Sequence, residues 1–381
     1  MMNFKLNEDQ EMLRKAARSF ADEFLADYVS NIEEKDEMPK EVIEEAAARD
    51  FMGITIPEEY GGLGLGHLAR MILLEELSRV SASLGMLMQV WHLGIHPIVR
   101  FGNEEQKMKY LPRLATGELL AGLAVTESTG GSDPTAIQTE AVRDGDDYVL
   151  NGRKVFITSS HLSNVVGVLA KMTGEPQSFT LFILDKDCPG WRPGRQEKKI
   201  GFKGSNTGDL IMEDCRVPAS NIIGNIGDGL KVGLNSIGEV GRAGMAGVSL
   251  GLLSASLEKA VKFSNERTMG GKPINKFQAI QFKIADMYMD LEISRLLAYK
   301  AAVMADEGMR CDTEMSMAKY YSSEASIRCA KAACDIHGSL GYMMENPTQR
   351  FLRDSFLTIS SAGTTEIQQM VVGRAAIKQF S

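Results

Sequence analysis

What this 381-residue chain lacks narrows its class before any motif is considered. Five cysteines, Cys188, Cys215, Cys311, Cys329 and Cys334, are odd in number and show no CxxC spacing. That argues against a disulfide framework or a zinc site and implies no metal; it points to a reducing, cytoplasmic setting. Basic residues are too few for a nucleic-acid partner: 42 Lys and Arg stand against 50 Asp and Glu, a formal charge of −8. An anionic ligand needs a local basic patch against that background. No uninterrupted apolar run is long enough to span a bilayer. Charges at Lys5, Glu8 and Asp9 come too early for a signal peptide. There is neither an internal repeat nor a low-complexity tail.

What is present supports a large core. Hydrophobic residues make up 44% of the chain, and the 22 methionines read as pliable core filler more than pocket lining. The length suggests two or three packed units. The first, residues 1–118, reads as helical. Asn7-Glu8-Asp9-Gln10 and Asn103-Glu104-Glu105-Gln106 are capping-box sequences, and Pro39 is placed to open a helix through Ala48. Helices are expected over Leu68–Val80 and Leu84–Val99, and one after Asn103 that stops at Pro112. Residues 119–226 switch to strand periods punctuated by Gly, Pro and Asp, including Gly174, Pro176 and Asp185, and read as a small antiparallel β-domain. There Asn151-Gly152 signals a two-residue hairpin turn between Tyr148–Leu150 and Lys154–Ile157. Residues 227–381 carry apolar residues at three- and four-residue steps over 245–263, 277–304, 315–337 and 365–380, which suggests a four-helix bundle. The fold class is therefore α+β in the order helical, β, helical.

One stretch stands out: Leu123-Ala124-Val125-Thr126-Glu127-Ser128-Thr129-Gly130-Gly131-Ser132-Asp133. An apolar strand breaks into small hydroxyl residues, and successive amides around Gly130 and Gly131 suit an anion-binding nest. Alone it reads as an ordinary strand-to-loop turn. Two further stretches join it: Asn151-Gly152-Arg153-Lys154-Val155-Phe156-Ile157-Thr158 and Ser361-Ala362-Gly363-Thr364-Thr365-Glu366. Together, in this order and at these separations, the three resemble the acyl-CoA dehydrogenase family of FAD flavoproteins over nearly the whole chain.

That resemblance implies the cofactor site. FAD is expected against Leu123, Val125, Thr126, Gly130, Gly131, Ser132, Phe156, Ile157 and Thr158, with Phe156 where the family usually has Trp. The far end of the dinucleotide is expected at Arg267, Thr268, Phe277, Gln278, Asp335, His337, Gly338, Thr364 and Glu366, part of it supplied by another subunit of a homotetramer. For Arg267 the plainer reading is a solvated charge at a helix end. Substrate contacts are expected at Ser132, Trp91, Arg242 and Gly363, with Trp91 suggesting a bulky wall for a short, branched or cyclic acyl group. The resemblance also implies an acyl-CoA substrate, fatty acid metabolism and an electron-transfer flavoprotein as electron acceptor.

The family reaction removes a proton and a hydride from adjacent carbons of an acyl-CoA thioester. The usual base, a Glu before the Gly-Thr of the last motif, is replaced by Ala362. A minority of members place the Glu just before a motif Arg; here Gly241 precedes Arg242. Glu239 is close by, and the segment from Gly229 to Arg242 is one residue longer than the family's pattern. A π-bulge absorbing that residue is expected to bring Glu239 toward the pocket. The plainer reading has Glu239 paired with Arg242. His92 and His96 are alternatives. With the usual base absent, 1,4-dehydrogenation, reverse enoyl-CoA reduction and non-redox elimination stay open beside dehydrogenation. Leu84, where an Arg would hold a second carboxylate, argues against a glutaryl substrate.

Overall fold

The computed structural model describes residues 5–174 and 178–381; Pro176 lies outside them. The N-terminal part is helical: α1 Glu8–Ser19, α2 Ala26–Lys35, α3 Lys40–Ala48, α4 Gly66–Val80, α5 Ala82–Phe101 and α6 Glu104–Ala115. Both capping boxes form, with Asn7 and Asn103 each accepting from an amide three residues on. Helix α6 runs through Pro112 to Ala115 instead of stopping at the proline. Phe20, Phe51, Leu73, Leu87 and Trp91 are buried together where α1, α4 and α5 meet.

The middle of the chain supplies β1 Ala121–Ala124, β2 Glu140–Asp144, β3 Asp147–Thr158, β4 Val165–Met172, β5 Phe179–Asp185, β6 Trp191–Gln196, β7 Thr207–Pro218 and β8 Ile222–Ile223. They form one sheet in the order β6-β7-β3-β2-β4-β5-β8, with β1 beside β4. Most pairings are antiparallel, but β1 and β2 each run parallel to β4, so the sheet is mixed.

The expected hairpin is elsewhere. Asn151 and Gly152 lie inside the continuous strand β3. The turn sits between β2 and β3, where Asp144 pairs with Asp147 and Gly145 has φ +65°. Gly152 is needed for close approach: a Cβ there would stand 2.7 Å from the Thr139 Cα. Asn151 bonds across the sheet to Asp214, at a register shift between β3 and β7.

The C-terminal part holds α7 Gly229–Ser236, α8 Arg242–Glu266, α9 Gln278–Asp306, α10 Asp312–His337, α11 Pro347–Thr358 and α12 Thr365–Phe380. Two further short strands, β9 Thr268–Met269 and β10 Lys272–Pro273, pair between α8 and α9. Helix α8 is the central post, packed on α4, α9 and α10. Its small residues permit this; a Cβ on Gly251 would meet the α4 backbone at 2.7 Å. Counted with α7, the run Gly229–Glu266 is apolar and long enough by composition to cross a bilayer, but 89% of its most apolar window is buried in the protein.

Between α7 and α8 the backbone makes a π-helical turn, Ile237–Gly241. This is where one extra residue was counted. It carries Glu239.

Candidate active site

The glycine-rich loop is built on a buried ion pair. Lys154 lies on an inward position of β3 with its Nζ 2.7 Å from Glu127 Oε1 and 3.1 Å from the Val125 carbonyl. Glu127 also accepts from the Gln138 and Thr139 amides and the Thr139 hydroxyl. Burial pulls the Lys154 ammonium down to about 8, although Glu127 opposes the shift. A third tie, the Val155 amide to the Thr126 carbonyl at 2.9 Å, joins loop and strand. Thr126 is thereby held beside the part of β3 that carries Phe156 and Thr158.

This cradle fits the family's flavin on three observations. The Gly131 and Ser132 amides have no hydrogen-bond partner among the described residues. A Cβ added at Gly131 would find only the Thr126 methyl, at 3.8 Å. Phe156 holds its ring 65% exposed on a backbone with φ +57°, a conformation that a bulky residue keeps only where its surroundings impose it. Behind Thr158, Ser159 receives the Trp91 indole N–H at 2.9 Å.

Trp91 is therefore not a wall of the acyl pocket. It is 1% exposed, and its one donor braces the end of β3. His92 is likewise corrected. Its Nε2 is 3.0 Å from the Phe51 carbonyl, and burial, joined by the nearby Arg70 charge, lowers it to about 3, so it stays neutral and enclosed.

The second set of expected contacts lies at the opposite end of the bundle. Arg267, Thr268, Phe277 and Gln278 sit where α8 ends and α9 begins, and Asp335, His337 and Gly338 where α10 ends. The 25 residues of α8 separate Arg267 from Gly241, about 39 Å at 1.5 Å per residue. Arg267 is exposed. Asp335 is engaged by Lys331, Lys283 and Tyr342, and His337 stacks on Phe263 with its Nδ1 bound to the Ala333 carbonyl.

Thr364 and Glu366 stand instead beside the loop 359–363 between α11 and α12, where Thr364 caps α12. In that loop Ala362 and Gly363 both have positive φ, +54° and +95°. The fully buried Lys319 holds them, its Nζ donating to the Ile359 carbonyl at 2.7 Å and the Gly363 carbonyl at 2.8 Å. Burial lowers this ammonium to about 8.

The two positions at which the family carries its base meet here. A Cβ on Gly241 would stand 3.3 Å from the Ala362 methyl. Neither residue has a group that takes a proton. Gln89 donates to the Gly241 carbonyl, and Arg70 to that of Val240, fixing the turn.

Glu239 points to a different set of partners. Its Oε1 is 3.4 Å from His67 Nε2 and 3.7 Å from His96 Nε2. Hydrogen bonding to His67 and then His96 holds its carboxyl well below the ordinary value, against burial. The alternative pairing with Arg242 is not formed. Arg242 keeps a buried Nε without a partner, and burial lowers its guanidinium. His67 is placed by Asp306, whose carboxylate accepts from the His67 and Leu68 amides and caps α4. His67 and Arg70 carried no sequence signal, because they meet Glu239 only through tertiary packing. Lys154 did: it occupies an inward position among apolar residues of β3.

Comparisons with known proteins show the family. The acyl-CoA dehydrogenase N-terminal, middle and C-terminal domain models match residues 7–118, 122–215 and 227–377. The chain is 39% identical over 373 residues to an acyl-CoA dehydrogenase of Bacillus subtilis, covering 97% of this chain and 98% of that one. The chain belongs to the acyl-CoA dehydrogenase family. It is an oxidoreductase acting on CH–CH groups, with FAD as cofactor. It is also 38% identical to the caffeyl-CoA reductase-Etf complex subunit CarC of Acetobacterium woodii, over 98% of this chain and 99% of that one. The structure of butyryl-CoA dehydrogenase from Megasphaera elsdenii superimposes with a TM-score of 0.96 at 35% identity, covering 99% of this chain and all of that one.

Proposed function

We propose that this family member acts on an acyl-CoA whose acyl group is short, branched or cyclic, and exchanges the substrate proton with the Glu239 array, not with residue 362. The observation that carries this reading is the pair of empty base positions, Gly241 and Ala362, with Glu239 two residues away on a π-turn between two imidazoles. Its depressed carboxyl is ionised at neutral pH, the state a proton acceptor needs. The polar side chains of Glu239, His67 and His96 in this wall favour a small acyl group over a long alkyl chain.

FAD bound to the cradle supplies the hydride acceptor. The chain's own residues do the rest. The Gly131 and Ser132 amides receive the pyrophosphate, Phe156 packs on the ring system, and Thr126 and Thr158 offer hydroxyls to its edge. Ser132, Arg242 and Gly363 are retained as substrate contacts. The Ala362 amide, presented by a left-handed backbone that Lys319 clamps, polarises the thioester carbonyl as charge develops there.

Arg267, Thr268, Phe277, Gln278, Asp335, His337 and Gly338 are read as completing a neighbour's cofactor site in a homotetramer. Exposed apolar side chains support self-association: Phe282, Tyr288 and Leu296 on α9, Ile377 and Phe380 on α12. An electron-transfer flavoprotein is the proposed electron partner, supported by the name of the Acetobacterium relative. That relative also supports a second reading, enoyl-CoA reduction through the same site. The five unpaired cysteines suit a cytoplasmic protein.

The test is an anaerobic screen of straight, branched, cyclic and unsaturated acyl-CoAs against the flavin-loaded protein. Loss of flavin colour with a saturated short, branched or cyclic acyl-CoA is expected. Colour that changes only when the flavin is first reduced and then mixed with an enoyl-CoA selects the reductase reading. A flavin that responds to neither sinks both.

A further inference from the structure

One segment, residues 197–206 between β6 and β7, reaches both walls of the proposed site. At its end the Asn206 carbonyl accepts from the Ser159 amide at 2.7 Å, and Thr207 pairs with Thr158 at the end of β3. The Thr207 and Thr158 hydroxyls are 3.4 Å apart. At its centre Phe202 turns on a left-handed backbone, φ +51°, a strained conformation for a bulky side chain. The Phe202 ring is buried in the apolar cluster that Ala362 packs against.

Asp354 on α11 imposes that turn. Its carboxylate is 1% exposed, and Oδ1 accepts from the Phe202 amide at 2.6 Å. The backbones touch as well: a Cβ on Gly201 would stand 2.6 Å from the Arg353 carbonyl. Arg353 donates to the Ile200 carbonyl at 2.8 Å and to Glu33 on α2. Helix α11 ends at Thr358 and runs directly into the Ala362 loop that Lys319 clamps. One buried carboxylate thus joins the Thr158 end of β3 to the Ala362 loop. The charged groups around it are Arg350 and Arg353 on α11, Glu33 on α2, and Lys199 on the segment itself. Asp36, paired with Lys203, faces the same segment. Burial pushes the Asp354 carboxyl up to about 6, against Arg350 and the Phe202 amide. An uncharged acceptor would hold that amide without the desolvation penalty. A carboxylate adds a charge-assisted bond, roughly twice as strong.

We propose that Asp354 is a positioning residue for the reaction: as a carboxylate it locks residues 197–206 onto α11, and so fixes the gap between the Thr158 hydroxyl and the Ala362 amide. This deepens the proposed function and rests on its placement of those two groups at the flavin edge and the thioester. A misplacement of about 1 Å can cost about 100-fold in rate. On taking a proton, Asp354 keeps an acceptor oxygen but loses the charge assistance, and Arg350 loses a counter-charge. The segment then loosens, and the two walls are no longer held at one spacing. Asp354 acts only through those walls; it is too enclosed to touch FAD or acyl-CoA.

The test uses the flavin-loaded protein and two variants. Asp354→Asn keeps the shape and removes the charge. Gly201→Ala keeps the carboxylate and pushes the segment off α11. Amide hydrogen exchange, corrected for its intrinsic pH dependence, reads the latch. Wild-type protection at residues 202–206, 158–159 and 360–363 should fall about 10-fold as pH drops through the Asp354 value of about 6. Both variants should show the loosened pattern at neutral pH. Turnover is then followed with whichever of butyryl-, crotonyl- and cyclohexanecarboxyl-CoA wild type handles fastest. Both variants should lose about 10-fold or more in kcat, with KM within about threefold. The wild-type acid limb near pH 6 should be missing from Asp354→Asn. Should Asp354→Asn fail to fold, Gly201→Ala and the wild-type pH comparison still decide. Equal protection at 158–159 and 360–363 in every form, or an unchanged kcat in the variants, overturns the proposal and leaves the proposed function standing. A wild type that turns over none of the three CoA esters removes the proposed function, and this inference with it.

Discussion

Ala362→Glu restores a carboxylate where most of the family carries one, and the structure says what should follow. Ala362 already has φ +54°, so the larger side chain adds no new backbone strain. Its Cβ faces the space in front of Gly241, where a Cβ would be 3.3 Å away and no side chain stands. Lys319 Nζ, bound to the next residue's carbonyl at 2.8 Å, helps keep the new carboxylate ionised. Half-burying it should cost about 1–3 kcal/mol, which a protein of this size tolerates. A positioned general base contributes about 10²–10⁴-fold. Added to Glu239→Gln, Ala362→Glu should therefore restore flavin reduction with butyryl-CoA by about 100-fold or more over Glu239→Gln alone, in anaerobic stopped-flow measurements. A double variant that binds FAD and butyryl-CoA normally yet reduces no faster than Glu239→Gln would show that position 362 does not face the reacting proton, and the reasoning from Gly241 and Ala362 would fail.

Other outcomes follow from the same contacts. Lys319→Met removes two charge-assisted bonds to carbonyls of the Ala362 loop, about 3–6 kcal/mol gross. It also relieves the burial that lowers this lysine from 10.5 to about 8, roughly 3 kcal/mol. Denaturant titration should show a net loss of about 0–3 kcal/mol, while turnover falls more than that figure implies. Gly152→Ala forces a methyl onto Thr139 and should lose about 1–3 kcal/mol; an unchanged midpoint would contradict the assigned register of β3. Because the Glu239 carboxyl is depressed in the folded chain, its stabilisation is present above the unfolded value of 4.5 and lost as pH falls through the folded value. The stability gap between wild type and Glu239→Gln should thus be flat near neutrality and shrink below pH 4.5.

How much of this was legible in the residues depends on how local the cause was. Both capping boxes were readable because four consecutive residues contain the whole interaction. The π-turn at Ile237–Gly241 was readable as a miscount, since one extra residue between Gly229 and Arg242 has to be absorbed somewhere. Asn151-Gly152 misled because the turn signal was weighed without its competitor: Asp144-Gly145 lies seven residues upstream and closes the hairpin instead. There the glycine was wanted for contact with Thr139, a neighbour invisible to a local rule. The three histidines differ only in what other elements bring to them. Phe51 takes His92, Ser236 and Glu239 take His96, and Asp306 places His67. Trp91 looked like a pocket wall by its place in the chain, but Ser159 claims its indole.

The central claim is that the site's proton acceptor sits on the π-turn. Its most direct test is the anaerobic rate of flavin reduction in Glu239→Gln, with FAD content matched to wild type, using the acyl-CoA that reduces wild type fastest. A fall of about 100-fold or more is predicted, with acyl-CoA affinity little changed. Reduction at the wild-type rate would contradict it and place the acceptor elsewhere.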